Sequence, residues 1–166
     1  LSSSNTAEGT VSPASLTFTA ENWNAEQMVT VTGVDDAKQD GPQEYSILLG
    51  KAGSVDSNYN DVNAGTVLVT NRDNDTAGVL LSAVTGKTTE AGGTATLTVK
   101  LLSAPLGNVN LNVSSSNALE GTVSPTALTF TPDNWNGSQT LTITGVDDDV
   151  QDGTQTYQIL ISVNSQ

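Results

Sequence analysis

Leu16-Thr17-Phe18-Thr19, Asn22-Trp23-Asn24 and Thr30-Val31-Thr32-Gly33-Val34-Asp35-Asp36 return later in the chain. They come back as Leu128-Thr129-Phe130-Thr131, Asn134-Trp135-Asn136 and Thr142-Ile143-Thr144-Gly145-Val146-Asp147-Asp148. Extended outward, the match aligns residues 2–54 with 114–166 without a gap, and roughly 31 of about 53 aligned positions are identical. A repeat at fixed spacing constrains the fold before any local reading does, because each copy has to be one structural unit. The spacing is about 112 residues in a chain of 166, so the sequence reads as about one and a half copies of a tandem array.

Within each copy, short runs alternate at period two and are separated by turn residues, the pattern of half-buried strands. Leu16-Thr17-Phe18, Val29-Thr30-Val31, Tyr45-Ser46-Ile47-Leu48-Leu49 and Thr66-Val67-Leu68-Val69 are such runs. Val79-Leu80-Leu81, the run from Ala95 to Leu101, and Val109-Asn110-Leu111-Asn112-Val113 follow, before the second copies of the first runs. No amphipathic helix stands out. Many short strands, polar on one side, predict an all-β, immunoglobulin-like antiparallel β-sandwich. With strands lettered A to G, residues 1–76 supply the C-terminal part of one repeat and residues 77–166 strands A to F of the next. Tyr45 and Tyr157 fall near the start of strand F, where sandwiches often carry a tyrosine corner. Trp23 and Trp135 lie in turns between D and E, where each is expected to cap one end of its core.

Composition removes whole classes of function. The net charge is −13 with five basic residues, which opposes binding to a nucleic-acid backbone or to an anionic membrane surface. The sequence contains no Cys and no His, which excludes thiol chemistry, the usual zinc sites and His-dependent triads. No apolar run is long enough for a membrane-spanning helix. Paired carboxylates can hydrolyse glycosides, but such acids work in aromatic-lined clefts, and aromatics are only 4% here. Catalysis is therefore not expected.

The acidic residues gather in a few loops. The E–F loop carries Asp35, Asp36 and Asp40, repeated as Asp147, Asp148, Asp149 and Asp152. Asp73 and Asp75 follow strand G, Glu90 lies between A and B, and Glu8 and Glu120 lie between C and D. Sandwich topology sends these loops to one pole. Carboxylates crowded there repel unless a cation neutralises them, and an all-oxygen donor set favours Ca²⁺. The same residues are also ordinary turn formers.

Glu90 after the first strand, Gly-Val-Asp-Asp before Asp-Gly, the following Tyr, and Asp73-Asn74-Asp75 after the last strand resemble the Calx-beta repeat. That module occurs in sodium–calcium exchangers, integrin β4 and large bacterial surface proteins. The resemblance implies two Ca²⁺ poles. The first would use Glu8, Asp35, Asp36, Asp40, Asp73 and Asp75. The second would use Glu90, Glu120, Asp147, Asp148 and Asp152, with Asp149 as an additional ligand. Ala37 and Lys38 replace Asp149 and Val150 in the first E–F loop, a departure between the copies.

The expected function is mechanical. The chain reads as a segment of an extracellular or cell-surface repeat protein, an adhesin stalk or filament, with Ca²⁺ at inter-repeat junctions stiffening the array. Its expected partners are neighbouring repeats or identical subunits, which could supply missing strands to incomplete sandwiches. Two other readings stand beside it. One is a module that binds a carbohydrate or surface protein through the Trp23 and Trp135 turns or the sheet faces. The other is a calcium-independent spacer whose acids confer solubility.

Overall fold

The computed structural model describes residues 1–151 and 153–163, and among them there are strands and no helix. The chain divides into two compact units. The first comprises Leu1–Asp36 and Asp40–Asn74, and the second comprises Ala37–Gln39 with the chain from Asp75 onward.

The first unit contains β1 (Ser2–Ser3), β2 (Gly9–Ser12), β3 (Thr30–Gly33), β4 (Gln43–Lys51) and β5 (Asn63–Asn71). They form an antiparallel sheet in the order β1-β4-β5 and an antiparallel pair, β2-β3. Its buried hydrophobic residues are Tyr45 and Ile47, two positions apart on β4 and therefore on one face.

The second unit contains β6 (Val79–Leu81), β7 (Thr85–Thr89), β8 (Gly93–Leu101), β9 (Val109–Ser115), β10 (Gly121–Ser124), β11 (Ala127–Phe130), β12 (Gln139–Gly145) and β13 (Ile159–Val163). One sheet runs β10-β12-β8-β6, with β7 also paired to β8; the other runs β11-β9-β13. Period-two patterning decides which side chains go inward. On β8, Ala95, Leu97, Val99 and Leu101 are buried, while Thr94, Thr96, Thr98 and Lys100 face the other way. Leu141 and Ile143 of β12 and Val123 of β10 join them. Leu111 and Val113 of β9 and Leu128 and Phe130 of β11 complete one hydrophobic cluster. Two antiparallel sheets contributing to one core is consistent with a β-sandwich.

In the second unit Ala104 N–H donates to Ala37 O at 2.6 Å, and Ala77 N–H to Gln39 Oε1 at 2.8 Å. These bonds hold the short Ala37–Gln39 segment.

The two copies of the repeated sequence share their pairing register. Ser2 lies opposite Leu48 as Ser114 lies opposite Leu160, and Gly9 opposite Gly33 as Gly121 opposite Gly145. They differ at one expected strand. Leu16-Thr17-Phe18 lies outside the strands, although its repeat counterpart forms β11. β11 pairs with residues 109–112 of β9, and among the described residues no strand pairs with residues 16–18. The two indoles also differ. Trp135 packs against the core and its carbonyl accepts the N–H of Leu101 at 3.1 Å, whereas Trp23 is 71% exposed.

Candidate metal centre

The pole of the first unit is built by backbone bonds that bring three loops together. The Tyr45 ring lies directly on Gly9, and a Cβ at that position would overlap it. Glu8 immediately precedes this glycine, and its carbonyl accepts the N–H of Val34 at 2.9 Å. That bond sets the β1–β2 turn beside the start of the loop between β3 and β4. Asn71, the last residue of β5, adds the third strand end. Its side-chain amide donates to Val34 O at 2.7 Å and to Glu8 Oε2 at 3.2 Å. Gly33 gives it room, since a Cβ there would come within 2.6 Å of Asn71 Oδ1.

Gly41, with φ 77°, reverses the β3–β4 loop in a conformation that L side chains rarely adopt. Its N–H donates to Asp73 Oδ2 at 2.7 Å, which ties the loop to the chain after β5. The outcome is a cluster in which Glu8, Asp36 and Asp40 each offer a carboxylate oxygen within 4.8 Å of the others. Glu8 is half-buried, and Asp36 and Asp40 are exposed. Asp73 adjoins them through Gly41. Asp35 is exposed and stands outside the cluster, and Asp75 belongs to the second unit.

At such separations each pair of carboxylates repels by about 1 kcal/mol even in water, and more where solvent is partly excluded. The Asn71 amide answers part of the charge on Glu8. The donors are all hard oxygens at the rim of a sheet pair, a set that suits Ca²⁺ better than zinc or copper. Carboxylates from two separate loops, with a third loop bonded alongside, can surround a cation from several sides.

The second unit repeats the scaffold. Val146 N–H donates to Glu120 O at 3.0 Å, the Tyr157 ring covers Gly121, and Gly153 turns with φ 79°. Here the turn between β7 and β8 is also present. It crosses β12 so closely that a Cβ on Gly145 would overlap the Thr89 carbonyl. The Tyr157 hydroxyl donates to Thr88 Oγ1 at 2.9 Å and holds β7 in place. Glu90 and Glu120 then line one open cleft of about 250 Å³, together with Thr88, Gly153, Gln155 and Tyr157. Asp147, Asp148 and Asp149 are exposed, and Asp148 Oδ1 accepts the N–H of Val150 at 2.8 Å, a local turn bond. Asp152 lies outside the described residues. Among the described residues, the carboxylate triplet is found in the first unit alone.

Two contributors escape a reading of the sequence, Asn71 and Thr88. Asn71 sits in a strand end among turn formers, and its bridging role depends on register. The two tyrosines had a signal: Tyr45 and Tyr157 recur with Gly9 and Gly121 at the repeat spacing. Comparison of the chain with protein-family models, with curated proteins and with solved structures gives no match.

Proposed function

We propose that the chain is a segment of a tandem-repeat structural or adhesive protein of the cell surface, and that its units are immunoglobulin-like sandwiches of the Calx-beta type. In this reading the pole formed by Glu8, Asp36 and Asp40, with Asp73 alongside, binds Ca²⁺ and stiffens the protein. The observation that carries it is the convergence of carboxylates from two separate loops to within 4.8 Å of one another. Strand order supports the fold assignment. β10-β12-β8-β6 facing β11-β9-β13 corresponds to D-E-B-A facing a sheet that contains C and F. The −13 charge suits a protein that takes up cations and repels anionic polymers.

An ion that binds only the folded form stabilises it by mass action, by about 2.7 kcal/mol at a hundredfold excess over Kd. For a unit of the first one's size each kcal/mol raises Tm by about 4–8 °C. Melting the full chain in millimolar CaCl₂ and in chelator should therefore shift the first unit's transition by about 10 °C or more. Asp36→Asn combined with Asp40→Asn should reduce that shift and, by removing like charges, raise Tm in chelator. Unchanged melting and unchanged protease resistance with and without calcium would establish the calcium-independent spacer instead.

A further inference from the structure

The turn between β11 and β12 contains the one Asn-Gly pair in the sequence, Asn136-Gly137. The Gly137 N–H closes the turn by donating to Asn134 O at 3.0 Å. The first unit builds the same turn over residues 22–25, where the Ala25 N–H donates to Asn22 O at 2.9 Å. A side-chain bond recurs with it: Asn134 Oδ1 accepts the Thr131 N–H, as Asn22 Oδ1 accepts the Thr19 N–H. Asn136 and its counterpart Asn24 are both exposed. The nitrogen that follows each asparagine is therefore held alike, and belongs to glycine in one turn and to alanine in the other. That nitrogen can attack the asparagine side chain. A Cβ on its residue obstructs the approach and narrows the backbone angles that permit it, and glycine does neither.

We propose that Asn136-Gly137 is a self-modification site, at which the turn of the second unit converts without an enzyme. The Gly137 nitrogen bonds to Asn136 Cγ, the Cγ–Nδ2 bond breaks, and the proton of the attacking nitrogen leaves with the amide as ammonia. The succinimide ring so formed takes up one water. Opening at Cγ leaves aspartate. Opening at the main-chain carbonyl leaves isoaspartate, whose main chain runs through Cβ and Cγ. Either product adds a negative charge, and isoaspartate also lengthens the main chain by one carbon next to Trp135. The Trp135 carbonyl accepts the Leu101 N–H at 3.1 Å, and its indole packs against the core. A longer main chain at residue 136 displaces that carbonyl, so the modification loosens the seat of Trp135 on β8. The first unit, with Ala25 in the matching place, is spared. The proposal rests neither on calcium nor on the cell-surface reading.

The test incubates the full chain in warm, mildly alkaline buffer and follows its chymotryptic peptides by mass spectrometry. The peptide with Asn136 should gain about 1 Da. It should do so at least about tenfold faster than the peptide with Asn24. Isoaspartate-specific methylation should label the same peptide. Gly137→Ala, a residue that the matching turn already holds at Ala25, should slow Asn136 to the rate of Asn24. Equal rates at the two asparagines, or a rate at Asn136 that Gly137→Ala leaves unchanged, overturns the proposal. Amide exchange at Leu101 reads the coupling to Trp135. In the isoaspartate form it should be about fivefold or more faster. Freshly prepared Asn136→Asp carries the charge on a normal main chain and should exchange at the original rate. Unchanged exchange in the isoaspartate form, or equal acceleration in Asn136→Asp, overturns the displacement of Trp135.

Discussion

Phe18 and Phe130 occupy the same place in the repeat and differ in almost everything that fixes their energetic weight. Phe130 is fully buried in the core of the second unit, and Phe18 is more than half exposed. Truncation to alanine should cost the second unit about 3–5 kcal/mol at Phe130. The same change at Phe18 should stay within about 0.5 kcal/mol, as for a surface site. Urea unfolding of the two single variants measures both; equal losses would mean that Phe18 is sheltered in solution. The acidic residues show how far residue identity can be read without coordinates. Glu8, Asp36 and Asp40 could be brought together on paper, because alternate loops of a sandwich share a pole. Asp35 could not be told from Asp36, since neighbours in a loop point in directions that only the backbone settles. Asn71 gave no signal at all, because its work depends on which strand end lies beside Val34.

Strands demand partners as well as patterns. The alternation in Ala95 to Leu101 was sufficient to mark β8, and the runs at 45–49, 66–69, 79–81 and 109–113 all fall inside strands. Leu16-Thr17-Phe18 carries the same alternation as Leu128-Thr129-Phe130 and is not a strand, because pairing energy comes from the neighbour and not from the segment itself. The same logic separates β3 from β12. Among the described residues β12 is flanked on both sides and β3 on one, so β12 amides should exchange at least about tenfold more slowly than those of β3 in the chain by itself. Hydrogen-exchange rates at residues 30–33 and 142–145 decide this directly. Similar rates would indicate that something already covers the β3 edge.

At the scale of the molecule, the two units carry one sequence pattern with unequal cores. The second gathers residues from six of its strands or their flanks around Phe130 and Leu141, while Tyr45 and Ile47 are the buried hydrophobic residues of the first. Stability follows buried apolar area, so unfolding should proceed in two steps with the first unit leading, and a single two-state transition would contradict this. The all-β class was legible in the sequence; the inequality of the two cores was not, since identical residues give no hint of what lies beside them. The two tryptophans turn that inequality into an optical property. Trp23 stands in solvent and Trp135 rests on the core. The chain thus holds one indole expected to emit at long wavelength and yield readily to acrylamide, and one expected to emit further to the blue and resist quenching. Each unit reports its own state in its own colour, with no dye attached.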